Sequence, residues 1–264
     1  MSQRNPTFFL CVLAFFLCVL ALVFSIQGCV HAQSTTAPSN AAAHVPLRIA
    51  LIGDSTMCDY PDSHTNRGWG QYFEEHFKDK TVKVLNLAAN GRSSKTFIQE
   101  GRWQKVLDEK PDYVLIQFGH NDSHGPQNRE STDSSTDYKD YLRRYIDESL
   151  AIGATPILVT PVVRRNFDAQ GKITYAIAPP GRSLLLYSNA MKEVGSEKKV
   201  AVIDLDASSR ALAEKLGPTA CVEMSAKTTD TTHFNEKGAR SIANLVIKDL
   251  PAAEPKLKEY LKAP

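Results

Sequence analysis

Residues 47–56 read LRIALIGDST. Six residues, Leu47 to Ile52, form an apolar run interrupted only by Arg48, and Gly53 ends it. A short, nearly continuous apolar run closed by glycine reads as a strand buried on both faces. The same pattern recurs down the chain: Val82 to Leu87 (VKVLNL), Tyr113 to Phe118 (YVLIQF), Ile157 to Thr160 closed by Pro161, and Val200 to Leu205 (VAVIDL). Stretches of helical character lie between them. Helices are expected over Trp69 to Phe77, about Phe97 to Glu109, Asp137 to Ile152 and Leu184 to Val194, and near 207–216 and 236–249. In 137–152 the apolar set is Tyr141, Leu142, Tyr145, Ile146, Leu150 and Ile152. Strand and helix alternate throughout, which argues for a three-layer α/β/α sandwich around a mainly parallel five-stranded sheet.

In an open sheet of this kind, ligands bind beyond the C-terminal ends of the strands. The unusual polar clusters fall at such ends. Gly53-Asp54-Ser55-Thr56 follows the first strand, Asn90-Gly91-Arg92-Ser93 the second, Gly119-His120-Asn121-Asp122 the third and Arg164-Arg165 the fourth. Far downstream, Asp230-Thr231-Thr232-His233 places a carboxylate three residues before a histidine. A serine, a histidine and an aspartate supply a nucleophile, a base to take its proton and an acid to orient the base. Each motif has an ordinary reading as well. A serine after a strand caps helices, an asparagine supports turns, and Asp-x-x-His occurs at capped loops. Their order and their common placement at strand ends favour the chemical reading.

The order GDS (53–55), NGRS (90–93), GHND (119–122) and DTTH (230–233) resembles the four blocks of the SGNH, or GDSL-like, hydrolases. The resemblance spans residues 53–233. Within that superfamily RGWGQ (67–71), NLAANGRSSKTF (86–97), IQFGHND (116–122) and THFN (232–235) look most like rhamnogalacturonan acetylesterases. Position 56 is Thr, so the chain does not read GDSL. That is common in the acetylesterase branch.

The resemblance implies a flavodoxin-like SGNH hydrolase fold over residues 47–264. It implies Ser55 as nucleophile, His233 as base and Asp230 as its orienting acid, with an oxyanion hole made by the backbone N–H groups of Ser55 and Gly91 and the Asn121 side-chain amide. Asp54 adjoins the serine and is read as structural, bonding loop backbone. His120 and His124 are read as loop residues. The histidines make no metal-ligand pattern, and neither a metal nor a cofactor is expected. Asn121-Asp122-Ser123 formally matches a glycosylation sequon, which its place in the oxyanion hole makes a coincidence.

Arg92, Lys95, Arg164 and Arg165 gather on strand-end loops. Singly they read as surface charge; together they suggest an anionic substrate, since arginine forks suit carboxylates. Trp69 is open between stacking on a sugar and filling the core. The expected activity is serine-dependent removal of O-acetyl esters from an extracytoplasmic polysaccharide, foremost rhamnogalacturonan or pectin. Other SGNH activities, lipase- or lysophospholipase-like or on acetylxylan, are alternatives. A catalytically silent carbohydrate-binding protein is the alternative of another class.

The N-terminus sets the compartment. Thr7 to Ile26 is almost wholly apolar and follows Arg4, as export signals do. Ile26-Gln27-Gly28-Cys29 resembles a bacterial lipobox, so residues 1–29 are read as a signal peptide of lipoprotein type, with ordinary cleavage near Val30-His31-Ala32 or an uncleaved span as alternatives. Residues 30–46 are small, polar and proline-containing and read as a flexible linker. Cys58 and Cys221 are candidates for a disulfide in an oxidising compartment, or for two free buried thiols. The 264 residues carry a formal charge of +2 with 23% charged residues and no long basic run. A nucleic-acid partner therefore has no support. The expected partner is an acetylated glycan, with the membrane met only through the N-terminal anchor or lipid, and the chain is read as a monomer.

Overall fold

Five strands make one sheet: β1 (Leu47–Gly53), β2 (Val82–Asn86), β3 (Tyr113–Gln117), β4 (Thr155–Val159) and β5 (Ala201–Ile203). Their spatial order is β2-β1-β3-β4-β5, and every neighbouring pair is parallel. The computed structural model describes residues 45–176 and 180–263. The export-signal reading of 1–29 and nearly all of the linker reading of 30–46 lie outside the described residues.

The central strands are apolar on both faces because both faces are covered. Along β1, Ile49 and Leu51 enter one core, while Ala50 and Ile52 enter the other. The first core is closed by α5 (Leu205–Val222) and α6 (Glu236–Ala253), together with turns of 3-10 helix at Trp69–Tyr72, Glu74–His76 and Pro255–Tyr260. The second is closed by α1 (Ser94–Gln99), α2 (Arg102–Asp108), α3 (Asp137–Ala151) and α4 (Leu184–Lys198). This is the three-layer sandwich that the alternation of elements implies.

Three elements differ from expectation, each for a local reason. The segment 69–77 is not an α-helix but two short 3-10 turns. There the backbone packs against the β1 loop, with Trp69 N–H donating to Thr56 O at 2.9 Å and Gly70 N–H to Met57 O at 3.1 Å. The expected helix at 97–109 begins earlier and is split at Gly101, whose φ is +69°. The helix expected to end at 216 continues to Val222 across a break at Gly217, followed by Pro218. Proline there denies the donor that a continuous helix needs.

The strand order positions the site. From β1 the chain moves outward to β2, then returns past β1 to β3 and continues the other way. The order therefore reverses between β1 and β3, the point at which loops diverge and leave a crevice beyond the strand ends. Ser55 follows β1 and Asn121 follows β3, on either side of that crevice.

Candidate active site

Ser55 sits on the turn leaving β1. Gly53 is required there because a Cβ would stand 2.7 Å from Gln117 O on the neighbouring strand. The turn is cross-braced. Met57 N–H and Cys58 N–H both donate to Asp54 O, and Tyr60 Oη donates to Ser55 O at 3.0 Å. Beneath it runs a buried polar chain. Trp69 Nε1 donates to Gln117 Oε1 at 2.8 Å, Gln117 Nε2 to Thr56 Oγ1 at 2.6 Å, and Thr56 Oγ1 to Asp54 Oδ1 at 2.8 Å. The far oxygen of Asp54 lies 3.2 Å from His120 Nδ1. Burial pushes the Asp54 carboxyl upward, but attraction to His120 and hydrogen bonds from His120 and Thr56 outweigh it, and its pKa is lowered.

His233 approaches from the loop before α6. Its Nε2 is 3.0 Å from Ser55 Oγ, and its Nδ1 is 2.9 Å from Asp230 Oδ2. A carboxylate only accepts, so Nδ1 carries the proton and Nε2 is left to accept from the serine hydroxyl. The other oxygen of Asp230 receives the backbone N–H groups of Thr232 and His233 at 2.9 and 2.8 Å. Burial works to raise the Asp230 pKa, yet these donors and the His233 ring hold it below the ordinary value. The three-residue spacing thus has a physical reason. It lets one carboxylate fold the turn and orient the ring at once.

Three donors stand on the loops after β1, β2 and β3. Among the described residues, neither Ser55 N–H nor Gly91 N–H has an acceptor within the protein. Gly91 has φ +77°, and a Cβ there would touch nothing within 4 Å. Glycine is needed for the left-handed turn rather than to relieve a contact inside the chain. Asn121 Nδ2 donates to Arg92 O at 3.0 Å, which pins the amide to the Gly91 turn and leaves its second N–H uncommitted. Ala89 N–H donates to Gly53 O at 2.9 Å and ties this turn to the β1 loop. An activated hydroxyl next to uncommitted N–H donors is the equipment for adding an oxygen nucleophile to a carbonyl and holding the resulting oxyanion.

The other expected site residues divide. Trp69 is fully buried and belongs to the chain beneath Ser55, so it cannot stack on a sugar. Arg165 is buried as well. It donates to Ser225 Oγ and to the carbonyls of Asp230, Thr232 and His233, and its guanidinium lies 4.4 Å from the centre of the Phe234 ring. Burial lowers its pKa to about 10. It braces the Asp230–His233 turn instead of meeting substrate. Arg92 is ion-paired with Glu100, whose carboxyl is pulled to about 2 by Arg102 and Arg92, with Arg129 adding to the effect. Lys95 caps Ser131 O. Arg164 lines an open cavity.

Asp54 does bond loop backbone, through Thr56 N–H at 2.9 Å, and also holds His120. His120 is buried, which goes beyond a plain loop residue; His124 pairs with Glu130 at 2.6 Å. Cys58 and Cys221 are free and buried, with Cys58 pushed by burial to about 12. Of the two readings, free thiols hold. Sequence reasoning passed over Gln117 and Arg182. The signal for Gln117 was present, a lone amide in the otherwise apolar YVLIQF.

Asp122 is a second fully buried carboxylate. It accepts from Ser94 Oγ at 2.5 Å, from Thr132 Oγ1 at 2.9 Å and from Ser94 N–H. Burial dominates and raises its pKa to about 6 despite those donors.

The chain resembles known proteins in sequence and in fold. Residues 51–240 match the GDSL-like Lipase/Acylhydrolase family. The chain is 38% identical over 221 residues to a probable rhamnogalacturonan acetylesterase, YesY, of Bacillus subtilis (strain 168), covering 80% of this chain and 98% of that one. It is 35% identical over 231 residues to the rhamnogalacturonan acetylesterase RhgT of the same organism, with 82% and 94% covered. Among solved structures, the Bacillus subtilis protein YxiM superposes with a TM-score of 0.68 at 28% identity, over 78% of this chain. The match spans 56% of YxiM's length. Axe2, an acetylxylan esterase from Geobacillus stearothermophilus, gives 0.59 at 19% identity, over 78% of this chain and 96% of its own, and shares the fold. With more than half its length matching and two relatives above 30% identity, the chain belongs to the GDSL-like lipase/acylhydrolase family and is an enzyme that hydrolyses carboxylic esters.

Proposed function

We propose that the protein removes O-acetyl groups from acetylated rhamnogalacturonan or a related pectic glycan through a covalent acetyl-serine. The observation that carries the reading is the relay from Ser55 Oγ through His233 to Asp230, at 3.0 and 2.9 Å, beside the uncommitted N–H groups of Ser55 and Gly91. The acetyl group and its pectic carrier come from the names of the relatives YesY and RhgT.

The geometry supports the following chemistry. Ser55 Oγ bonds to the acetyl carbonyl carbon while its proton passes to His233 Nε2. The carbonyl oxygen becomes an oxyanion and takes hydrogen bonds from Ser55 N–H, Gly91 N–H and Asn121 Nδ2. Collapse breaks the bond to the sugar oxygen, which leaves with the proton from His233. A water then gives its proton to the same nitrogen and attacks the acetyl-serine, releasing acetate and restoring the hydroxyl. Throughout, Asp230 stabilises the imidazolium and keeps its own charge. No step calls for a metal.

We place the enzyme outside the cytoplasm, since Thr7 to Ile26 and the lipobox-like Ile26–Cys29 read as an export signal. Fatty-acid labelling that disappears in Cys29→Ala supports lipid attachment; labelling that persists there refutes it.

Acetate release from a panel of acetylated pectins, xylans and chitins tests the substrate reading. Release fastest from pectic rhamnogalacturonan is expected. Release from xylan or chitin alone contradicts the reading, as does a rate that rises with acyl chain length on synthetic esters.

A further inference from the structure

A cavity of about 450 Å³ opens beside the turn that carries Asn121, within the size range of small-molecule sites. Ser123, His124, Arg164, Asn166, Tyr175 and Arg182 are among its walls. Two arginines in one cavity are notable for what each leaves unused. Arg164 commits only Nη2, to His120 O at 3.1 Å and Ser123 Oγ at 3.4 Å. Arg182 commits only Nη1, to Ser131 Oγ, Thr132 O and Tyr187 Oη. Among the described residues, neither guanidinium has a carboxylate within ion-pair distance, and each retains free donors on Nε and its second Nη. The contrast is with Arg92 and Arg143, which are ion-paired, and Arg165, which commits both Nη atoms to four acceptors. Part-buried guanidinium groups with unused donors suit a planar, bidentate anion. The polar remainder, with Asn166 and Tyr175, suits hydroxyl groups around it.

We propose that this cavity seats a uronate unit of the glycan, its carboxylate gripped by Arg164 and Arg182, so that an acetyl ester on the same or the adjoining sugar is presented to Ser55. The connection to the chemistry runs through one turn. Arg164 holds His120 O and Ser123 Oγ, on either side of Asn121-Asp122, so a bound carboxylate abuts the turn that supplies an oxyanion donor. The proposal rests on the carbohydrate-esterase reading above and adds the carboxylate as its specificity determinant. Arg182 lies outside every family-like block and is the new residue in it.

The test compares two unacetylated oligosaccharides as competitors of p-nitrophenyl acetate hydrolysis: a galacturonate-containing rhamnogalacturonan fragment, and the same fragment with its carboxyls reduced to alcohols. The acidic fragment is expected to inhibit at about tenfold lower concentration. That preference should fall to about twofold or less in Arg164→Gln and Arg182→Gln and survive in part in Arg182→Lys, which keeps charge without the fork. Equal inhibition by the two fragments in the native enzyme overturns the proposal, and so does a preference retained in both glutamine variants. If one variant does not fold, the native comparison and the other variant still decide. The outcomes separate from those of the substrate reading. Equal inhibition with acetate still released from pectin removes the cavity assignment alone. Preferential binding of the acidic fragment without acetate release from pectin removes the substrate reading and leaves the cavity.

Discussion

Two histidine–aspartate pairs stand at the same end of the sheet, and they differ in what the second ring nitrogen meets. His233 and Asp230 are three residues apart; Nδ1 is 2.9 Å from the carboxylate and Nε2 is 3.0 Å from Ser55 Oγ. The His233 side chain is about one-third exposed, at 32%. His120 and Asp54 are 66 residues apart; Nδ1 is 3.2 Å from the carboxylate, the ring is 3% exposed, and Nε2 is buried with no partner among the described residues. The groups are the same and the uses are opposite. One pair turns its second nitrogen to the Ser55 hydroxyl at the end of β1. The other ends a buried chain through Thr56, Gln117 and Trp69 and acts as a strut under the nucleophile turn. An imidazole beside a carboxylate is thus not itself a catalyst. The outward nitrogen's partner and its access decide.

That contrast can be broken experimentally. The largest effect is expected at the nucleophile. Ser55→Ala should lower kcat/KM on p-nitrophenyl acetate by about 10⁶-fold while thermal melting stays close to native; retained turnover breaks the assignment. Asp230→Asn should fold normally and lose about 10⁴-fold in kcat, because the ring loses its orienting charge.

Asp54→Ala should do the reverse. It strands His120 in the core and should destabilise the fold by about 3–5 kcal/mol in denaturant titration. Its rate loss on the folded fraction should be far smaller than that of Asp230→Asn. If Asp54→Ala matches Asp230→Asn in rate and leaves stability intact, the two pairs have been assigned the wrong way round.

The smallest effect concerns pH. Asp122 has a folded pKa raised to about 6 from 3.8, so the folded state holds its proton more tightly than the unfolded chain. Its contribution to stability is therefore present below the unfolded value and falls as pH rises from about 4 to 6, by at most about 3 kcal/mol. Asp54 and Asp230 have lowered pKa values, and their contributions run the other way, being lost as pH falls below the ordinary carboxylate range. Asp122→Asn should flatten the fall between pH 4 and 6 in urea-unfolding free energies. An unchanged slope contradicts the raised value.

Much of the architecture was legible because it is written locally. Strands buried on both faces must be apolar throughout, and LRIALIG, YVLIQF and VAVIDL say so without reference to anything distant. The polar blocks were legible because each sits where such a strand ends. What escaped depends on partners far along the chain. Trp69 looks equally like a sugar platform or a core residue until Gln117, 48 positions away, is seen to accept its N–H. Arg165 looks like a surface cation until Ser225 and the 230–233 carbonyls close around it. Apolar periodicity carries no record of such pairings. The 3-10 turns at 69–76 escaped for a similar reason, since backbone bonds to the Thr56–Met57 loop set their shape.

The central claim is that, among the described residues, Ser55 is the hydroxyl made nucleophilic, and active-site trapping tests it most directly. The native enzyme would be treated with an organophosphate ester and the modified peptide mapped by mass spectrometry. One adduct per chain, on Ser55, with loss of activity in proportion to labelling and no adduct in Ser55→Ala, is the predicted result. An adduct on any other residue that tracks the loss of activity, or equal labelling of Ser55→Ala, would contradict it.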